Sequence, residues 1–235
     1  EHRRRVEARN SIIQGDNLLE AGDAVTARSC YQKALEFVPG FTPALLSLGK
    51  AELGAGNIED GIRFFSEAIA ADPDMADLRR QRAKALMSLK KYDEAIKDYT
   101  EVIRISAISA GKPLADAYYL RGWAYFKSEE LDKAIADLDR AIQIRPTSAS
   151  YFNRRGWIYL KGMALFAQAV SDFSEAIRIR PDDCQAVLNA GYTLRRMGDS
   201  DGAFRLYDLA IGGAEAKRRD GQKNSLLHKV YYNRG

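Results

Sequence analysis

YYLRGWAYFKSEELDKAIADLDRAIQIRP, residues 118–146, is the stretch that decides the fold. It contains two apolar patterns of helical spacing, which are separated by a short polar segment and ended by Pro146. Its Gly122 has counterparts at an interval close to 34 residues along the chain: Gly15, Gly49, Ala83, Gly156 and Gly191. A fixed period of this length predicts stacked units of two helices each.

The period divides the chain into six units when the residue of the Gly122 type is numbered position 8. Each unit should consist of a helix A, a turn and a helix B, and a proline follows several of the B helices. Tyr231–Gly235 is similar to Tyr118–Gly122 and indicates the start of a further helix A. We therefore expect a single all-α domain over residues 1–235, with repeats at 8–41, 42–75, 76–114, 115–148, 149–183 and 184–217 and a partial repeat at 226–235.

Small and large residues alternate in a way that explains how the two helices of a unit pack. Positions 8, 20 and 27 are small in nearly every unit, because a larger side chain where the helices cross would push their axes apart. Position 24 is large and should fill the remaining space: Tyr31, Phe65, Tyr99, Leu138, Phe173 and Tyr207. We interpret these large residues, five of which are aromatic, as core.

The segments YYLRGWAYF (118–126), KYDEAIKDY (91–99) and ELDKAIADLDRAIQIRP (130–146) resemble the tetratricopeptide repeat, and the resemblance extends over nearly the whole chain. It implies a right-handed α-α superhelical solenoid of antiparallel helix pairs. The third unit departs from the pattern with five extra residues near Ile105–Pro113, which predict either a longer helix B or a bulged loop.

The resemblance also implies a concave groove lined by the A helices, with positions 2, 5, 9 and 12 and the neighbouring positions 6 and 13 pointing into it. The middle of this groove should be aromatic, with cations on both sides. Such aromatic and arginine anchors are typical of protein-binding hot spots. The candidate partner-binding residues are Arg80, Lys84, Tyr119, Trp123, Phe126, Asn153, Arg154, Trp157, Asn189, Tyr192, Arg195 and Arg196. Trp123 and Trp157 have an alternative role, which is packing between successive A helices.

The composition limits the kinds of partner and the location that we expect for the protein. The chain has 36 lysine and arginine residues and 32 aspartate and glutamate residues, so its net charge of +4 permits an acidic partner without requiring nucleic acid. No apolar run is long enough for a transmembrane helix. Cys30 and Cys184 are interpreted as packing residues, and the lack of a disulfide framework favours a cytoplasmic location while leaving an exported one open. The start at Glu1, without methionine, indicates an excised piece.

Residues for catalysis or metal binding are scarce. The two histidines, His2 and His228, lie in opposite terminal regions, and the glycine motifs lack the further residues of nucleotide-binding loops. Carboxylates such as Asp137 and Asp139 have the spacing of exposed ion pairs on helix surfaces. We therefore expect no enzyme activity, cofactor or metal site.

The function that these patterns favour is a non-catalytic scaffold that binds a peptide or extended partner segment in the concave groove. The partner could be acidic and would have apolar anchors for Trp123 and Trp157. A carboxylate clamp of the kind found in some family members is disfavoured, because Asn153, Trp157 and Asn233 replace the expected residues and only Asn189 and Lys229 match. Two alternatives stay open: a helical-repeat protein that binds single-stranded RNA, and a regulatory or targeting arm of a larger enzyme.

Overall fold

A computed structural model describes residues 1–107 and 112–218 of the chain. Twelve α-helices and no strands occur in these residues. Their bounds are α1 (His2–Glu20), α2 (Ala24–Phe37), α3 (Thr42–Gly54), α4 (Ile58–Ala71), α5 (Ala76–Ser88), α6 (Tyr92–Ala107), α7 (Lys112–Lys127), α8 (Leu131–Ile144), α9 (Ala149–Lys161), α10 (Phe166–Ile179), α11 (Cys184–Arg196) and α12 (Ser200–Arg218). The predicted all-α class is confirmed.

Consecutive helices pair as hairpins, and the odd-numbered helix of each hairpin is the helix A of one repeat. The chain divides into two compact units, Glu1–Ala110 and Gly111–Gly235, each with three hairpins. Within a unit, helix B of one hairpin packs against helix A of the next, and successive A helices also touch. This consecutive stacking is the helical-repeat fold that the period predicts. The expectation of one domain over the whole chain stays a prediction.

The core of each hairpin lies where the residue at position 24 meets the small residue at position 8. All six position-24 side chains are at most 2% exposed. In the second hairpin, a Cβ atom placed on Gly49 would lie 2.5 Å from Cε1 of Phe65, which is closer than atoms can approach. Glycine at position 8 therefore lets the ring lie directly on the backbone of helix A, as the sequence predicts.

The turn inside every hairpin contains one residue of left-handed backbone, which is at repeat position 15 in five hairpins and one residue later in the fifth. In three hairpins it is glycine, as at Gly56 with φ of 86°. In the other three it is Lys90, Glu129 or Ala164, with φ between 53° and 66°. A left-handed residue is therefore common to all six turns, although only half of them have glycine, which adopts this backbone without strain.

The helices differ from the expected bounds in four places. α1 already begins at His2, α6 extends to Ala107 with 16 residues, α7 begins at Lys112 ahead of the expected start of its repeat, and α12 continues through Gly212 and Gly213 to Arg218. Helix B of the third unit is therefore longer than α4 and α8, which have 14 residues each, as one of the two alternatives predicted. The partial repeat at 226–235, with Lys229 and Asn233, lies outside the described residues, as does His228. Within the described ranges, no helix is both long enough and apolar enough to cross a bilayer.

Candidate functional site

A cavity of about 450 Å³ opens on the A helices of the second unit, across α7, α9 and α11. We call it the groove. Its walls combine aromatic rings, primary amides and cations, and they come from repeat positions 2, 5, 6, 9 and 13. The lining residues are Tyr119, Trp123, Lys127, Ser150, Asn153, Arg154, Trp157, Gln185 and Asn189.

Trp123 is held in place by contacts within α7 and from α9. Its ring stacks on Phe126 with ring centres 5.0 Å apart, and the guanidinium carbon of Arg154 lies 3.8 Å from the centre of the Trp123 ring. Arg154 also donates a hydrogen bond of 3.0 Å from Nη2 to the hydroxyl of Tyr119. Arg154 was expected among the cations on either side of the aromatic residues, but it lies between Trp123 and Tyr119. Its long side chain reaches back to α7 and inserts among them, where cation–π attraction stabilises it.

Three amides form a hydrogen-bonded chain between α11 and α9. Gln185 donates from Nε2 to Oδ1 of Asn189, and Asn189 donates from Nδ2 to Oδ1 of Asn153, each over 3.0 Å. Asn189 is only 7% exposed, so its amide is held in a defined orientation. A primary amide has two donors and an acceptor. Such a chain can offer further hydrogen bonds to the peptide groups of an extended segment.

Exposed cations follow the groove, one at position 13 of each repeat of the second unit. They are Lys127, Lys161 and Arg196, each the last residue of its A helix, and we call them the basic ladder. Lys127 Nζ lies 4.7 Å from the centre of the Trp123 ring, and Lys161 Nζ lies at the same distance from the centre of the Tyr192 ring. The Arg196 guanidinium carbon lies 5.5 Å from the centre of the Phe166 ring.

The cations of the ladder affect the pKa of Tyr192. Arg196 donates a hydrogen bond of 3.3 Å to the Tyr192 hydroxyl, and Lys161 lies over the ring. The hydrogen bond from Arg196, followed by the charge of Lys161, lowers the pKa of Tyr192. Positive charge favours the phenolate, so this corner of the site attracts anions.

The structure brings together six of the twelve predicted binding residues as groove lining: Tyr119, Trp123, Asn153, Arg154, Trp157 and Asn189. Both tryptophans are half-buried, and Trp157 also packs against the core around Phe173, so lining and packing are combined in the same side chain. Phe126 packs towards α8 beneath Trp123 and does not line the cavity. Tyr192, Arg195 and Arg196 are exposed and lie outside its lining.

Arg80 and Lys84 belong to α5 in the first unit. Arg80 forms an ion pair with Asp77, which also lies 3.8 Å from Nζ of Lys50. Partial burial raises the pKa of Asp77, but the hydrogen bond from Arg80 and the charges of Arg80 and Lys50 outweigh it and lower the pKa overall. The charge of Arg80 is therefore already matched within its own helix, whereas Lys84 is exposed.

The groove contains three residues that were not singled out from the sequence: Lys127, Ser150 and Gln185. They occupy positions 13 and 2 of the same repeat frame that identified the others. A consistent use of that frame over all groove positions would have found them.

The expectation of exposed ion pairs on the B helices is wrong for Asp137. This carboxylate is 5% exposed and accepts two hydrogen bonds from Arg121 of α7, at 2.7 and 2.8 Å. The same bidentate pair recurs between helix A and helix B as Arg82–Asp98 and Arg155–Asp172. The hydrogen bonds donated to these carboxylates raise the pKa of each arginine. The recurrence of Arg at position 7 and Asp at position 23 along the sequence could have predicted these ion pairs between helix A and helix B.

The described residues contain no group of three or more His, Cys, Asp or Glu side chains that could hold a metal ion. The groove has no carboxylate in its lining, so its chemistry is that of hydrogen bonds, aromatic contact and positive charge.

The chain is similar to a human protein and to the solved structures of two other proteins. Protein O-mannosyl-transferase TMTC1 of Homo sapiens is 26% identical over 195 residues, which make up 81% of this chain and 21% of that protein. MamA from Desulfovibrio magneticus RS-1 superposes with a TM-score of 0.67 and 20% identity, over 75% of this chain and 97% of that chain. YrrB, described as a TPR protein with an unusual peptide-binding site, gives a TM-score of 0.58 and 21% identity, over 77% and 91% of the two chains.

Two models of the tetratricopeptide repeat match the sequence. One matches residues 115–148, and the other matches residues 13–76 and 46–113. The human relative is much longer, since this chain spans only about a fifth of it. Because the matches cover residues 13–113 and 115–148, more than half of the sequence, the chain belongs to the tetratricopeptide repeat family.

Proposed function

We propose that the protein is a non-catalytic interaction module whose groove binds an extended, acidic segment of a partner protein. Tetratricopeptide repeat proteins mediate protein–protein interactions, and the family typically acts as a scaffold. The observation that supports this site is the groove itself, a cavity of about 450 Å³ whose lining combines two tryptophans, three linked amides and no carboxylate. The peptide-binding site named for the structural relative YrrB agrees with this proposal.

The amides are suited to the main chain of the bound segment. Asn153, Asn189 and Gln185 lie on two adjacent A helices and are fixed in orientation by their mutual hydrogen bonds. An extended peptide has unpaired N–H and C=O groups along both edges. Side chains that are already ordered lose little conformational entropy when they bind such groups.

The tryptophans supply the apolar part of the contact. Trp123 and Trp157 occupy position 9 of neighbouring repeats, and both are half-buried with part of each ring facing the cavity. Partly exposed tryptophans in a concave site are among the residues that contribute most to protein binding. We therefore infer that an apolar side chain of the partner lies on each ring.

The charges favour an acidic partner. Lys127, Lys161, Arg154, Arg195 and Arg196 form no salt bridge with any carboxylate whose side chain the structure describes. By contrast, Arg121, Arg145 and Arg155 of the same unit are all paired with aspartates. Unpaired cations around a groove attract an oppositely charged partner and increase its association rate.

The experiment that tests this function is a selection of peptides displayed in a random library against the purified chain. The peptides obtained are then titrated with the wild type, with the variant Trp123→Ala/Trp157→Ala and with Tyr159→Ala. Tyr159 is the matched control, because it lies on α9 near Trp157 but lines a different cavity, one with Asp139 and Asp172. We expect the double tryptophan variant to lose most of the affinity and the control to retain it.

Two outcomes would contradict the proposal. One is a set of selected peptides that bind the double tryptophan variant as well as the wild type while both proteins keep the same helical circular dichroism. The other is an oligouridine that binds more tightly than any selected peptide, with the steep salt dependence of phosphate contacts. That second result would favour the RNA-binding alternative.

A further inference from the structure

Two cations of the second unit converge on one tyrosine. Arg196 donates a hydrogen bond of 3.3 Å from Nη1 to the Tyr192 hydroxyl, and Nζ of Lys161 lies 4.7 Å from the centre of the Tyr192 ring. Lys161 is the last residue of α9, whereas Tyr192 and Arg196 are one turn apart on α11. All three side chains are exposed. We call Lys161, Tyr192 and Arg196 the cationic corner.

The positive charge of the cationic corner is not balanced by the protein. Neither Lys161 nor Arg196 forms an ion pair with a carboxylate whose side chain the structure describes, whereas Arg178 and Arg180 of the same unit both do. The hydrogen bond from Arg196 and the charge of Lys161 lower the pKa of Tyr192, as positive charge does for a phenol. An anion from outside the protein can therefore serve as the counter-ion of two cations at once.

Aromatic rings hold both cations beside Tyr192. Nζ of Lys161 lies 5.4 Å from the centre of the Trp157 ring, and the guanidinium carbon of Arg196 lies 5.5 Å from the centre of the Phe166 ring. Cation–π attraction of this kind offsets part of the repulsion between the two like charges. Position 9 is a tyrosine only in the sixth repeat, and no repeat of the first unit has a basic residue at position 13. The corner is therefore a local feature and does not recur with the period.

The donors of the corner match the oxygens of a phosphate monoester. The ammonium and guanidinium groups donate hydrogen bonds, and Tyr192 keeps its own hydrogen to donate while its oxygen accepts one from Arg196. A phosphorylated side chain carries a charge of about −1.5 to −2 and three acceptor oxygens. Guanidinium groups also bind phosphate through two parallel hydrogen bonds. A carboxylate has a single charge and would leave one of the two cations unmatched.

The corner adjoins the groove, because Lys161 contacts the ring of Trp157 and Trp157 lines the groove. We propose that Lys161, Tyr192 and Arg196 bind the phosphate of a phosphorylated side chain in the partner segment. This inference rests on the proposed function and adds that phosphorylation of the partner strengthens the interaction. One continuous segment would place an apolar side chain on Trp157 and its phosphate on the corner.

Three peptide libraries that differ in one residue test this proposal. Each has five random residues on either side of a fixed centre, which is phosphoserine, glutamate or serine. The libraries are titrated by fluorescence polarisation with the wild type and with variants that keep its helical circular dichroism: Lys161→Gln/Arg196→Gln, Tyr192→Phe and Trp123→Ala/Trp157→Ala. The matched control is Lys133→Gln/Arg140→Gln, which also removes one lysine and one arginine charge, from exposed positions of α8.

We expect the wild type to bind the phosphoserine library about threefold to tenfold more tightly than the glutamate library. One additional exposed ion pair changes affinity about two- to fivefold, and further hydrogen bonds to the phosphate add to this effect. Lys161→Gln/Arg196→Gln should lose the preference, Tyr192→Phe should keep part of it, and Lys133→Gln/Arg140→Gln should keep all of it. Higher salt should reduce the preference, because exposed charges are screened.

Inorganic phosphate distinguishes a phosphorylated segment from the free ion. It is titrated into the wild type while carbon NMR follows the Cζ signal of Tyr192. We expect this signal to shift only at phosphate concentrations far above those at which the phosphoserine library binds, because the free ion makes no contact with the groove. Equal apparent affinities of inorganic phosphate and the phosphoserine library would assign the corner to the free ion and overturn the inference.

Equal binding of the phosphoserine and glutamate libraries to the wild type would also overturn the inference. A preference that survives in Lys161→Gln/Arg196→Gln, or no binding of the phosphoserine library, would do the same. The proposed function is judged separately, by the peptides obtained in the selection and by whether Trp123→Ala/Trp157→Ala weakens their binding. Tighter binding of oligouridine than of the phosphoserine library and of every selected peptide at equal salt would overturn both.

Discussion

The guanidinium group of Arg154 lies against the Trp123 ring, with 3.8 Å between the guanidinium carbon and the ring centre. Arg154 is on α9 and Trp123 is on α7, so this interaction joins two neighbouring A helices within the groove. The hydrogen bonds from Arg154 to the Tyr119 hydroxyl fix the arginine in the same place. The ring surface available to a ligand is therefore set by the position of Arg154.

Arg154→Ala should loosen Trp123. In a Trp157→Phe background Trp123 is the one remaining tryptophan, and we expect its fluorescence maximum to move to longer wavelength and its quenching by acrylamide to increase. The free energy of unfolding should fall by about 0.5–2 kcal/mol, because alanine cannot supply the cation–π attraction. Arg195→Ala, on the exposed side of α11, serves as the control. Unchanged emission and quenching in Arg154→Ala would show that the arginine does not hold the ring.

Gly49→Ala should destabilise the protein and Gly54→Ala should not, although both glycines lie on α3. A Cβ at Gly49 would lie 2.5 Å from the Phe65 ring, whereas one at Gly54 would have no atom within 4 Å. We expect Gly49→Ala to cost about 1–3 kcal/mol through overpacking. Gly54→Ala should be neutral or stabilising by up to ~1 kcal/mol, because alanine favours helix. Thermal unfolding followed by circular dichroism measures both, and equal midpoints for the two variants would contradict this account of the core.

The Arg121–Asp137 pair should show strong coupling in a double-mutant cycle. Asp137→Leu leaves the half-buried Arg121 without its bidentate partner, and we expect a loss of about 3–5 kcal/mol. Arg121→Leu leaves a buried carboxylate and should cost a similar amount. The double variant should be more stable than either single one, since two apolar side chains leave neither a buried carboxylate nor a guanidinium that has lost its bidentate partner. Urea unfolding of the four proteins gives the coupling, and additive losses would argue against the pair.

Tyr192 should ionise at lower pH than the buried tyrosines. Arg196 and Lys161 lower its pKa, while burial raises the pKa of Tyr31, Tyr99 and Tyr151. Arg196→Gln and Lys161→Gln each remove a positive charge that favours the phenolate, so the pKa of Tyr192 should move up towards about 10. Carbon NMR of the tyrosine Cζ atoms follows each titration. A Tyr192 pKa that is the same in the wild type and in Arg196→Gln would exclude the hydrogen bond as its cause.

Which residues line the groove could largely be predicted from the sequence, but their contacts could not. The repeat frame assigned Trp123, Asn153 and Asn189 to one surface, because residues at equivalent positions of stacked helices must share a face. It did not reveal that Arg154 inserts among the aromatic rings, or that Arg80 is paired with Asp77. Long side chains can reach several partners from one backbone position, and only the packed structure selects among them.

The sequence by itself determined the architecture, since the recurrence of small residues at position 8 and large ones at position 24 permits one way of packing helix A on helix B. The tertiary structure decided the electrostatics. Asp137 lies on the amphipathic helix α8, next to exposed residues, yet it is buried against Arg121 of α7. The cations of the basic ladder, by contrast, have no such partner within the described residues. Periodicity specifies which face of a helix is buried, but the depth of a charge and the identity of its partner depend on contacts between helices.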